Sequence, residues 1–301
     1  MRPQSCYFVC FTARSGSTML CEALVNTGVA GRPEEYFPDD HLFVATGAAL
    51  QRAEWVQDWR NDPFAENLQR VFDWGTTPNG VFSAKLKANS LPFLQAALGE
   101  MPGNEGLATG EALSTAFPNL RYIWVTRRDK VRQAISYFRA KQSRQWQMRA
   151  GKSGRKRTLQ FNFPLIERVM REITQHEAAW AQFFADSRIV PFTVVYEDLV
   201  LDYEGTVRRA LEYLQIPLPA AFAFPPPRLQ KQADAVSEEW VRRYYESQRA
   251  NDARRMIANI PAMLKSEPLR DTYLLPRLRR ELGSAPARLK QQVLRSRTES
   301  M

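Results

Sequence analysis

The chain is poor in the residues that build metal centres and disulfide frameworks. It holds two histidines, His41 and His176, and three cysteines, Cys6, Cys10 and Cys21. Two imidazoles so far apart do not make a zinc ligand set, so no metal is expected. Three thiols crowded into the first strand and helix read as small buried hydrophobes in a reducing compartment, not as bridges. No apolar run has the length of a membrane span or the form of a secretory leader, which makes a cytoplasmic location the expectation. Acidic residues are missing from one long stretch: Lys130 to Ile166 contains ten Lys or Arg and no Asp or Glu. Lys265 to Met301 adds nine basic and four acidic residues, within a net charge of +10. Such an excess favours anion capture. Nucleic acid is not the expected partner, because the basic stretch has neither a recognised module nor regularly spaced aromatics. An anionic membrane surface suits the tail better. With 301 residues, 44% of them apolar, a sizeable core is available.

A second absence concerns phosphate chemistry. A nucleotidase P-loop reads Gly-x-x-x-x-Gly-Lys-Ser/Thr, but here Phe11 stands five residues before Gly16 and Ser17 follows it. Gly151-Lys152-Ser153 is a decoy, since Trp146 occupies its first-glycine position. What stands at the first site is still an anion trap. The apolar run Tyr7 to Phe11 meets Thr12-Ala13-Arg14-Ser15-Gly16-Ser17-Thr18 and then a helical pattern. A strand that ends in a small loop and restarts as a helix leaves unpaired N–H groups at the positive end of a helix dipole. Ser15, Ser17 and Thr18 add hydroxyl donors, and Arg14 adds a planar fork suited to oxyanions. Read more simply, Ser17 and Thr18 cap the helix.

A second strand-like run, Tyr122 to Thr126, ends in Arg127-Arg128-Asp129, and Ser136 follows Arg128 by eight residues. Arg128 and Ser136 are placed to converge on one phosphate. The plainer alternative pairs Arg128 with a local carboxylate such as Asp129 and leaves Ser136 on a helix surface.

Together these sites resemble the sulfotransferases that use 3′-phosphoadenosine 5′-phosphosulfate, and more narrowly the bacterial trehalose 2-sulfotransferase family. The narrower likeness rests on Arg14 to Thr18, Thr27 to Gly31, Pro33 with Glu35-Tyr36-Phe37, Thr77 to Val81, Arg128 to Ser136, and Gln232-Ala233-Asp234 with Glu239-Trp240. Ala13 and Arg32 depart from the family pattern beside the acceptor, so the donor half of the likeness is the tighter. The resemblance implies that Arg14, Ser15, Gly16, Ser17 and Thr18 hold the phosphosulfate and Arg128 with Ser136 the 3′-phosphate. Lys231 is a further donor contact on the same ground, and Lys85, at a strand end, is another candidate, with a solvated lysine as the plainer alternative. It implies Glu35 as general base, with Arg14 stabilising the transferring group. Adjacent Glu34 and the more distant His41 remain alternative bases. An acceptor site of Glu34, Glu35, Tyr36, Phe37 and Trp55 is expected for a carbohydrate or glycolipid, in a homodimer. Trp55 and Trp59 equally fit one packed helix face.

Alternating strand and helix patterns predict an α/β fold with a P-loop-like parallel sheet flanked by helices. Strands are expected at Tyr7–Thr12, Val81–Leu86, Arg121–Thr126 and Ile189–Val195. Helices are expected at Ser17–Thr27, Leu91–Leu98, Lys130–Gln147, Pro164–Ala185, Tyr203–Leu214 and Ser237–Ala258. Residues 148–160 read as a loop over the site, and Tyr196-Glu197-Asp198-Leu199 as a structural string. The expected domains are 1–245 and a basic, mainly helical extension, 246–301. The rivals to a sulfotransferase are a magnesium-dependent nucleotide user and a basic surface binder that retains the fold without catalysis.

Overall fold

A computed structural model describes residues 2–38, 62–144, 159–219, 222–226 and 234–264, with side chains as far as residue 255. His41, Trp55, Trp59, Lys231 and most of the 148–160 loop lie outside the described residues.

Strands β1 (Ser5–Phe11), β2 (Val81–Lys87), β3 (Arg121–Thr126) and β4 (Phe192–Val195) form one sheet in the order β2-β1-β3-β4, parallel throughout. The unbroken apolar run of β1 has a direct cause. Cys6, Phe8 and Cys10 enter one core cluster while Tyr7, Val9 and Phe11 enter another, so both faces of the strand are covered. Helices α1 (Ser17–Asn26), α2 (Phe64–Gly75), α3 (Leu91–Gly99), α4 (Thr109–Ala116), α5 (Lys130–Ser143), α6 (Phe163–Asp186), α7 (Tyr196–Leu201) and α8 (Tyr203–Leu214) accompany the sheet.

The strand order locates the site. From β1 the chain first crosses to β2 on one side, then returns past β1 to β3 on the other. Ligands of open parallel sheets bind where connections diverge in this way, at the carboxyl ends of the strands. Phe11 is in register with Lys87 of β2 and Val125 of β3, so three strand ends meet at one level. Trp180 of α6, fully buried, donates its indole N–H to the Phe11 carbonyl at 3.3 Å and holds β1 where the first loop begins.

Several boundaries differ from expectation. Ile189 and Val190 are β-branched, but the Ile189 amide bonds the Phe184 carbonyl to close α6, and Val190 is 86% exposed. The strand therefore starts after Pro191. Helix α5 stops at Ser143, with Arg144 in the left-handed conformation, rather than continuing to Gln147. Helices α2, α4 and α7 were not anticipated. Residues Met1–Gln232 form one compact unit and Ala233–Met301 a second. In the second, helix α9 (Ala235–Leu264) contains the expected domain boundary at 245/246 within its length. No described helix is long and apolar enough to cross a membrane.

Candidate active site

The first loop follows from two positive φ values. Arg14 (φ 65°) and Gly16 (φ 91°) turn the chain from β1 into α1. Gly16 is the residue before the helix, and no side chain caps it, so Ser17 and Thr18 are not used as caps. The first-turn amides are thus left for another acceptor. Ser15 is fully buried, and its Oγ has no hydrogen-bond partner. Arg14 Nε donates to Ser136 Oγ at 2.9 Å, which ties the loop to α5. Burial, helped by the neighbouring Arg127 charge, lowers the Arg14 pKa to about 10, and the group remains a cation at neutral pH.

Gln133 of α5, also fully buried, supports this loop from beneath. Its amide donates to Thr12 Oγ1 at 2.9 Å and to the Ala13 carbonyl at 2.8 Å. On the outer side Tyr196 packs against Gly16, where an added Cβ would lie 2.4 Å from the ring. Gly16→Ala is therefore expected to lower stability by roughly 1–3 kcal/mol, from the disfavoured φ and the displaced ring. The check is a denaturant midpoint that falls while the m-value holds; an unchanged midpoint would disprove the close packing.

At the end of β3 the two arginines part. Arg127 is the inner one, with its guanidinium 4.5 Å over the Tyr196 ring and a hydrogen bond to the Arg14 carbonyl at 3.5 Å. Its Nε, 3.8 Å from Glu197, is buried and makes no hydrogen bond. Burial lowers its pKa as well. Arg128 faces outward and holds Asp198 through both nitrogens, at 2.8 and 2.6 Å. The Glu197 carboxylate accepts from the Arg128 and Asp129 amides at 3.0 and 3.3 Å. The Tyr196–Leu199 string thus clamps the second loop, in keeping with a structural role. Ser136 bonds Arg14, and the carboxylate that holds Arg128 is Asp198 rather than Asp129.

The third wall carries Glu35. Two strings far apart in sequence set its position by holding one another. Thr77 Oγ1 accepts from the Gly31 amide at 3.2 Å, and Asn79 donates to the Val29 carbonyl at 2.8 Å. The Glu34 carbonyl then accepts from the Lys85 amide at 2.8 Å, so the segment runs beside β2. Tyr36 and Phe37, expected beside the acceptor, are instead core residues. Tyr36 stacks on Phe82 and donates to the Arg32 carbonyl, while Phe37 packs edge-on against Phe8 and Phe117. A fully buried ring contributes about 1.5–3 kcal/mol, so the pair anchors the segment, and alternation turns the Glu35 side chain outward.

Glu35 is 42% exposed, and Lys85 Nζ and Lys87 Nζ each lie 3.0 Å from one of its oxygens. Burial acts to raise its pKa, but the two ammonium groups outweigh that and hold it at about 2. Lys85 Nζ also donates to Thr18 Oγ1 at 3.3 Å and sits 4.2 Å over the Phe11 ring. Lys85 therefore bridges the anion loop and the carboxylate. Of the expected residues, the structure brings together Arg14, Ser15, Gly16, Ser17, Thr18, Ser136, Lys85 and Glu35, and leaves Arg128 on the rim. Gln133, Arg127 and Lys87 are parts of the site that the sequence reading does not single out. Lys87 was signalled by its spacing of two from Lys85, which puts both on one strand face. The inward turn of Gln133 had no local signal. No group of three or more metal-binding side chains occurs among the described residues.

The chain has relatives by sequence. The trehalose 2-sulfotransferase of Mycobacterium tuberculosis is 32% identical over 259 residues, covering 79% of this chain and 93% of its own. That of Mycolicibacterium smegmatis is 33% identical over the same shares. Among solved structures, a sulfotransferase from Alicyclobacillus acidocaldarius aligns with a TM-score of 0.45 and 15% identity, over 83% of this chain and 94% of that one. Residues 6–247, which take in all three walls of the site, match the family described as Stf0 sulphotransferase. The chain belongs to the Stf0 sulfotransferase family and is an enzyme of that class.

Proposed function

We propose that this enzyme moves the sulfuryl group of 3′-phosphoadenosine 5′-phosphosulfate to a hydroxyl of a trehalose-like sugar, free or lipid-linked. The observation that carries this reading is the position of Lys85, one ammonium group spanning the anion loop at Thr18 and the carboxylate of Glu35. The loop fits a phosphosulfate on its own evidence. It has an uncapped helix start, an orphaned buried hydroxyl on Ser15, and Arg14 and Arg127 side by side. Adjacent half-buried cations are costly without an anion to share.

When bound, the donor supplies an electrophilic sulfur and a bisphosphate leaving group. Glu35 accepts the proton of the acceptor hydroxyl as its oxygen bonds to sulfur. The bond from sulfur to the bridging oxygen breaks, and its electron pair stays with the bisphosphate. Arg14, the first-turn amides of α1 and Lys85 stabilise the charge that grows on that oxygen. Arg128 and Ser136 hold the 3′-phosphate, for which Arg128 exchanges Asp198 and Ser136 exchanges Arg14. The relatives named as trehalose 2-sulfotransferases support a sugar acceptor.

The test is calorimetric titration of 3′-phosphoadenosine 5′-phosphate into wild type and Arg128→Ala, without magnesium. Binding by the wild type, weakened by roughly 1–3 kcal/mol in the variant, is expected, since a charged hydrogen bond contributes on that scale. A wild type that ignores the nucleotide would overturn the proposal.

A further inference from the structure

Glu35 is clasped from two sides by groups with different surroundings. Lys85 is 10% exposed and reaches past the carboxylate to Thr18 at the start of α1. Lys87 is 29% exposed, lies at the end of β2, and meets the other carboxylate oxygen. The two stand two residues apart and therefore project from the same face of the strand. One of them is within reach of an anion in the first loop, whereas the other holds the oxygen farther along the strand. An anion in that loop competes with Glu35 for Lys85.

We propose that Lys87 is a positioning residue that keeps Glu35 in place while Lys85 passes from Glu35 to the sulfuryl donor, so that the carboxylate gains its full strength as a base only after the donor has bound. This rests on the sulfotransfer reading above and adds an order of events to it. A carboxylate held by two ammonium groups is a poor proton acceptor at neutral pH. Removing one and bringing a polyanion alongside both act in the same direction. Beyond the two lysines, the Cys21 thiol of α1 also interacts with this carboxylate, and Cys21 in turn feels Glu22 of α1 and the adjacent Glu34. The Cys21 thiol is held neutral by its burial, and Glu22 and Glu34 carry the same sign as Glu35. Donor binding thus exchanges the resting state for a sugar-ready one, and an empty enzyme does not deprotonate its acceptor.

The proposal is tested by following the Glu35 side-chain carboxyl by 13C NMR through a pH titration of the full chain, with Glu35→Gln as the assignment control. Spectra are taken without ligand and with the sulfuryl donor, the acceptor being withheld. The titration is expected to move up by roughly 1–3 units when the donor binds. In the free protein Lys87→Met is expected to raise it by about a unit or more, and Lys87→Arg to restore it. In turnover, the acidic limb of kcat in Lys87→Met moves to higher pH, a change that loss of packing alone does not produce. A Glu35 titration that stays put while calorimetry shows the donor bound would sink the clasp and leave sulfotransfer standing. A donor that does not bind at all would overturn the sulfotransfer reading itself, and the clasp as a step in it.

Discussion

Glu35→Gln is expected to reduce kcat by about 10²–10⁴-fold, the range a positioned proton acceptor contributes, while the bisphosphate still binds. The substitution keeps the shape of the side chain and one of its two oxygens, and removes its basicity together with its charge against Lys85 and Lys87. The backbone there is held by other means: the Tyr36 and Phe37 rings in the core and the Glu34 carbonyl on the Lys85 amide. A retained kcat, or an equal loss in Glu34→Gln, would assign the proton to another group. The same carboxylate has a stability signature. Its folded pKa, about 2, lies below the ordinary 4.5 because Lys85 and Lys87 outweigh the effect of burial. Its stabilising contribution is therefore complete above about pH 4.5 and is lost as pH falls towards 2. The stability difference between wild type and Glu35→Gln should shrink over that acid interval. Because the side chain is partly in water, the difference at neutral pH is modest.

Arg14→Ala is expected to lower kcat/KM by about 10²–10³-fold, the cost of removing one donor aimed at developing charge. Its stability should hold. Arg14 is a half-buried cation close to Arg127, its φ of 65° is a disfavoured conformation, and its hydrogen bond to Ser136 is only partly buried. Removing it withdraws a charge that the fold has to desolvate. Activity lost without loss of stability is the mark of a residue kept for function at a cost to the fold. Paired measurements of kcat/KM and thermal midpoint decide it. A variant within tenfold of wild type would remove Arg14 from the reaction centre, and a collapse of the midpoint would reassign it to the scaffold.

Three strands and the first loop were legible because their signals are local. The run from Tyr7 to Phe11 is apolar on both faces, and the glycine and hydroxyls after it mark a loop that opens a helix. The fourth strand was misjudged by three residues because β-branched Ile189 and Val190 follow a helix whose closure consumes the Ile189 amide. Helix α2 buries Leu68, Val71, Phe72 and Gly75, a helical spacing present in the sequence. The site was legible as residue types but not as partners. Arg14, Arg128, Ser136, Lys85 and Glu35 can all be chosen from spacing and resemblance. That Ser136 serves Arg14, and that Asp198 occupies Arg128, depends on how α5 meets the first loop and α7 meets the end of β3. Tyr36 and Phe37 failed as acceptor contacts for a related reason. An aromatic beside a catalytic carboxylate looks like a sugar platform in one dimension, and only the core of α2, β2 and β1 shows that both rings are already taken.

Burial has one practical consequence at the three cysteines. Cys6, Cys10 and Cys21 all lie in the core, and loss of solvation pushes the first and third thiols up to about 12 and the second well above its usual value. Alkylation and oxidation proceed through the thiolate, so the native fold behaves towards a maleimide as a cysteine-free protein. A single cysteine placed at Leu201, 87% exposed on the helix that clamps the second loop, would be its one fast-reacting handle. A fluorophore there would test whether Arg128 leaves Asp198 when the nucleotide is added.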